Sequence, residues 1–266
     1  MTEHAGSAAR AAAAGADDDE ITVRRIGIAD LGAALQKGID DFRAIPTHAF
    51  FVGIVYAVLG LVIVRWSFHY SLLPLVFPLV GGFALLGPFA AIGLYELSRR
   101  REQGEEARFW HMFAVRHAPN RGAILRLGVG VAMVFFVWLW VALALYRSTF
   151  GDVEPSTGAF LVELFTTGHG WTLMLVGNLV GAGFALAILA GTAVAFPMLV
   201  DRRVDVATAV ATSLRVFAAN PVPMLVWGAI VAGGLFVGAL PFLLGFLVVL
   251  PVLGHATWHL YRRVVA

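Results

Sequence analysis

Hydrophobic residues in this chain fall into long uncharged runs, not into the short alternation of strands or the spaced stripes of soluble helices. Residues 44–64 run without charge from Arg43 to Arg65, and a second run covers 66–95, up to Glu96, with a short outer turn before a span starting near Leu72. Residues 127–146 supply a third run and 172–198 a fourth, separated by a polar stretch holding Asp152, Glu154 and Glu163. A helix rising 1.5 Å per residue crosses the hydrocarbon core in about 20 residues. The last run, 216–261, is therefore too long for one crossing, and Gly238–Pro241 is the natural break between a fifth span and a sixth. The pattern predicts an all-α, polytopic membrane helix bundle of six transmembrane helices.

The polar residues between the runs carry a repeat. Asp30, Ala34, Phe42 and Pro46 align with Asp205, Ala209, Phe217 and Pro221 at a constant offset, and Leu31, Leu35 and Ile39 align with Val206, Val210 and Leu214. Each copy reads as a short amphipathic helix lying in the membrane interface, with Asp as N-cap and one apolar stripe. Proline in the first turn of the following span loses little there, because that amide has no helical partner. Further along, Gly82, Phe83 and Pro88 align with Gly245, Phe246 and Pro251, Pro78 with Pro241, and Arg99-Arg100 with Arg262-Arg263. The first and last helix pairs thus form a parallel repeat of interfacial helix plus transmembrane hairpin. Residues 106–117 offer a weaker counterpart before the middle pair, which leaves a third copy open. The chain divides into a disordered cytoplasmic tail over 1–25 and one membrane domain over 26–266: first repeat 26–100, middle hairpin 101–200, second repeat 201–266.

Charge sets the orientation. Of the 19 basic residues, all Arg but Lys37, the six-span map places all except Arg65 and Arg147 on one side. Basic loops stay in the cytoplasm, so both termini are expected there. Trp66, Tyr146 and Trp171 then fall at outer ends, and Tyr95 and Trp258 at inner ends, as interfacial anchors. The basic balance is an orientation signal and gives no reason to expect nucleic acid as a partner.

Composition removes several chemistries. The absence of cysteine excludes disulfides, thiolate metal sites and cysteine nucleophiles. The spans carry no Asp, Glu, Lys or Arg away from their ends, which argues against proton-coupled or ion transport. Asn178 is the clearest polar residue inside a span, and a hydrogen bond to a neighbouring helix accounts for it. His255 and His259 lie four apart on one helix face, but no carboxylate or cysteine stands beside them in sequence to complete a metal motif. No catalytic residue, cofactor or metal is expected.

The segment Gly82-Phe-Ala-Leu-Leu-Gly-Pro-Phe-Ala-Ala-Ile-Gly-Leu-Tyr-Glu-Leu-Ser-Arg-Arg100 resembles a family of bacterial integral membrane proteins known as a domain of unknown function. Residues 201–227 are similar to it as well, and the likeness extends over about residues 25–263. The resemblance implies a bacterial inner-membrane location and no activity. The sequence therefore supports a non-enzymatic assembly, scaffolding or interaction role, with the bilayer and other membrane proteins or a second copy as partners. The alternative is a transporter or channel for a neutral or lipid-like molecule, which needs a cavity between the repeats.

Overall fold

A computed structural model describes residues 21–45, 54–55, 57–62, 65, 73–151, 157–241 and 243–266. The chain before residue 21, Pro46, Trp66, the outer turn at 66–72, Asp152, Glu154 and the side chain of Phe83 lie outside the described residues. The elements are α1 (Ile28–Ala44), a helical stretch over 57–62, then α2 (Leu73–Leu85), α3 (Gly87–Ala90) and α4 (Ile92–Glu102). A 3₁₀ segment (Phe109–His117) leads to α5 (Arg121–Phe150), α6 (Thr157–Thr166), α7 (Gly168–Thr192) and α8 (Ala195–Asp201). The chain closes with α9 (Val206–Ala219), α10 (Pro221–Ala239) and α11 (Phe246–Val264). The described residues are helical apart from loops and one isolated antiparallel bridge.

Among the described residues, three helices are long and apolar enough to cross a membrane: Arg121–Phe150, the continuous run Gly168–Asp201, and Pro221–Ala239. Large apolar side chains on them, such as Trp140, Leu179 and Phe236, face outward. Such outward hydrophobics would be a liability in water and suit a lipid surround. Helix α10 ends at Ala239, inside the Gly238–Pro241 break expected from the sequence, and Gly245 packs directly on the Gly238 backbone as the chain returns. Between the third and fourth spans the polar stretch holds more structure than expected. Thr157–Thr166, which carries Glu163, is a helix of apolar composition, and its Phe160 lies edge-on to Tyr146. Thr167 then caps α7 by accepting from the Gly170 amide.

The tight core lies at the end of the molecule where α4, α8 and α11 meet. Leu94, Tyr95 and Leu97 come from α4, Phe196 and Met198 from α8, and Trp258 and Tyr261 from α11, all essentially inaccessible. Burying each large side chain contributes about 1.5–3 kcal/mol. Around this centre each helix carries one further segment: the 3₁₀ stretch packs on α4, α9 on α7 and α8, and α1 on α11. The first two contacts join chain neighbours, whereas α1 on α11 joins the first and last described helices. Arg24 N–H donates to Val264 O, and Ala266 N–H to Thr22 O, so residues expected as the end of a free tail are tied to the C-terminus.

Helices α1 and α9 bury corresponding positions: Ala34, Gly38, Asp41 and Ile45 on one, Ala209, Ser213, Val216 and Asn220 on the other. They also end alike, Ile45 at φ −131°, ψ 57° and Asn220 at φ −133°, ψ 52°. Their starts differ from the common Asp cap that the sequence suggests. Asp205 caps α9, accepting from Thr208 N–H at 2.7 Å. Asp30 instead lies one turn inside α1, whose N-cap is Gly27, and its carboxylate reaches back to accept the Gly27 amide at 2.9 Å. Nor do the later prolines share a local structure. Pro78 lies within α2 while Pro241 is in the turn, and Pro88 opens α3 while Pro251 runs inside α11. Gly87 weakens helix propensity just before Pro88, whereas Leu250 before Pro251 does not.

Candidate functional site

The buried polar residues gather where α1, α4 and α11 cross. Gly38 makes the crossing possible, because a Cβ there would stand 2.7 Å from the Ala256 backbone nitrogen. The face of α1 that packs on α11 holds the small residues Ala34 and Gly38; of the apolar stripe, Leu31 is buried in the core, while Leu35, Ile39 and Phe42 are only half-buried. One turn beyond Gly38, Asp41 is carried under the same contact at 4% exposure. His255 and His259 flank Ala256 on α11, so the close approach sets Asp41 between them.

The geometry fixes the donors. Ser98 Oγ–H donates to Asp41 Oδ2 at 2.6 Å, and His259 Nε2 donates to the same oxygen at 2.8 Å. Arg101, one turn past Ser98 on α4, donates to Asp41 Oδ1. His255 Nδ1 lies 2.7 Å from Ser98 Oγ; with the hydroxyl proton directed to Asp41, the imidazole is the donor in that pair. Burial pushes the Asp41 carboxyl pKa up. The hydrogen bonds from His259 and Ser98 and the neighbouring imidazoles outweigh it and hold the group below its ordinary value. Serine, histidine and aspartate together invite a comparison with a hydrolase triad, but the order is wrong. Here the carboxylate binds the serine directly rather than orienting the histidine that would deprotonate it. Ser98 is also wholly inaccessible. The arrangement clamps three helices.

Sequence reasoning placed His255 and His259 on one face without a carboxylate partner; the fold supplies Asp41 from more than 200 residues away. The available signal was Ala34-x-x-x-Gly38 followed one turn later by an acid. Asn178, expected to bond a neighbouring helix, donates to Met174 O on its own helix at 2.7 Å. It lines a pocket of about 310 Å³ with Trp138, Tyr146 and Phe160, beside α6 and away from α1 and α9. The arginine pairs of the repeat are engaged. Arg99 and Arg100 share Glu96, Arg262 joins Glu102 and Asp201, and Arg263 reaches Asp30 at 2.7 Å. Gly82 packs against Phe135 and Trp138, and Phe246 belongs to a small apolar cluster with Ala57, Leu94 and Leu243.

Two asparagines show a shared device. Asn220 donates from Nδ2 to Arg24 O at 3.1 Å and accepts the Ile26 amide at 2.8 Å. Asn120 donates to Arg202 O at 2.5 Å. Each stands at the start of a long helix and holds the first arginine of an Arg-Arg pair leading into α1 or α9.

Just beyond the core lies an apolar pocket of about 130 Å³. Gly60, Val80 and Ala91 contribute from one part of the chain, Leu189 and Thr192 from α7, and Val231 and Leu250 from α10 and α11. Tyr95 and Trp227 also line it, next to the packed core.

No curated protein and no solved structure matches the chain. Residues 76–201, which contain the whole Gly82–Arg100 motif but stop at the start of the second similar segment, match the family described as predicted integral membrane protein (DUF2189), a membrane protein family of unknown function.

Proposed function

We propose that this is a six-span protein of the bacterial inner membrane, built from three helical hairpins in a ring, with both termini in the cytoplasm. It acts by non-covalent association, not by catalysis. The ring is supported by the cyclic packing of α1, the 3₁₀ segment and α9, each on the helix that ends the hairpin before it. The matched burial and C-terminal ends of α1 and α9, and the paired roles of Asn120 and Asn220, support the repeat. The observation that carries the non-catalytic reading is the Asp41–Ser98–His259 cluster: its groups satisfy one another out of reach of any substrate. Extraction of the full chain in native bilayer discs, followed by intact-mass measurement, tests the role. A complex of fixed stoichiometry, with a second copy or another membrane protein, is expected. A lone chain across growth conditions overturns it.

The apolar pocket favours a second reading, in which a neutral or lipid-like molecule lodges between the hairpins. An engineered dry cavity of about 150 Å³ suffices for a benzene-sized guest. That scale suits a segment of acyl chain rather than a bulky solute. Val231→Phe fills the pocket and is expected to abolish binding of a fluorescent fatty-acid probe; unchanged binding overturns this reading.

A further inference from the structure

We propose that the protein binds a phosphate group in a second, polar pocket at its basic end. This pocket, of about 310 Å³, is enclosed by the end of α4, the end of the 3₁₀ segment and the connection between α8 and α9. Four arginines contribute to its lining, Arg99, Arg100, Arg202 and Arg203, with His117 beside them.

Two carboxylates also line the pocket, and both are already held. Glu96 is bonded by Arg99 at 2.8 Å and Arg100 at 3.0 Å. Asp201 accepts from Tyr261 Oη at 2.6 Å and from Arg262 at 3.2 Å, and these two come from α11. Arg100 also reaches Glu105 at 3.3 Å, so the four arginines exceed Glu96, Asp201 and Glu105 by one charge, which leaves the pocket net positive and suits a singly charged phosphate group. Basic residues that only orient a membrane protein need no concave arrangement. Here the Asn120 amide donates to Leu199 O and Arg202 O, pinning the backbone that carries Arg202 and Arg203 against α5. The guanidinium fork suits phosphate oxygens better than a point charge does. Basic pockets between helices on the cytoplasmic side are also where anionic lipid headgroups bind. A free phosphate and a phospholipid headgroup present the same chemistry to this site.

The experiment uses the full chain, with thermal unfolding as readout. In neutral detergent, inorganic phosphate is titrated against chloride at matched ionic strength. In phosphatidylcholine vesicles, a tenth of the lipid is replaced by phosphatidic acid. A rise in Tm with phosphate in detergent identifies a soluble ligand, and a rise with phosphatidic acid alone identifies a lipid headgroup; either supports the site. Arg202→Gln/Arg203→Gln is expected to weaken the response at least ten-fold. Arg203→Lys keeps most of it, and Arg116→Gln, on the exposed face of the 3₁₀ segment, leaves it unchanged. Should the double variant not fold, Arg203→Gln alone, at an exposed position, is expected to weaken it several-fold. No rise with either probe, or an equal loss with Arg116→Gln, overturns the proposal.

Discussion

At Asp41 a single carboxylate receives hydrogen bonds from α4 and α11 while belonging to α1. Replacing it strands the hydroxyl, the imidazole and the guanidinium that converge on it. Removing one partner of a buried charged cluster costs about 3–5 kcal/mol. Asp41→Ala is therefore expected to lower Tm sharply in detergent, while Ser98→Ala, which removes one neutral donor, costs about 1–3 kcal/mol. The same residue sets an acid limb. Its pKa is held below the ordinary 3.8, so its stabilisation is complete above that value and is lost as pH falls through the lower folded one. Wild type and Asp41→Asn should differ in Tm by a constant amount from neutral pH to about pH 5, then converge in stronger acid. A gap that persists at low pH contradicts this. The partners of Asp41 were not legible in the sequence, because they lie on α4 and α11, far along the chain.

Helix α1 shows how an element can be readable in outline while its orientation stays open. Its length and its final turn follow from periodicity and from Pro46. Its packed face does not, because close crossing selects small residues over the large ones that dominate a hydrophobic stripe. Two glycines on this helix make the distinction measurable. Gly38→Ala places a methyl against the Ala256 backbone, which cannot yield, and an overpacked site of this kind costs about 1–3 kcal/mol. Gly32→Ala meets nothing within 4 Å and gains helix propensity, so it should be neutral or stabilising by up to about 1 kcal/mol. Equal effects in thermal unfolding would disprove the α1–α11 crossing. The region over 157–166 hides its helix for a different reason. Flanking acids mark it as a loop, yet its own residues are apolar and Phe160 has Tyr146 and Phe150 to pack against.

In the whole molecule, the first and last described segments meet. Thr22 and Ala266 are joined by a backbone hydrogen bond, so a short linker between residues 21 and 266, with new termini opened at Gly104, should give a folded protein. Gly104 has φ 71° and nothing within 4 Å of its missing Cβ, as befits an open turn. Recovery of a circular permutant with near-native Tm checks the closure. Topology is open to an equally direct measurement because the chain lacks cysteine. In intact spheroplasts, an impermeant thiol reagent is expected to label Thr167→Cys but not Gln103→Cys, which should react only after lysis. The reverse pattern would overturn the orientation.

The sequence by itself determined that this is a helical membrane protein and where its long apolar helices run. Those conclusions rest on solvent: uncharged runs need lipid, and lipid permits backbone only in helices or closed barrels. The tertiary structure alone decided which face of α1 packs, that His255 and His259 have a carboxylate partner, and that Arg202 and Arg203 converge with Arg99 and Arg100. Each depends on side chains separated by a hundred residues or more, and periodicity carries no information across that distance. Only where packing made a mark on composition, as at Ala34 and Gly38, did the sequence hold a trace of it.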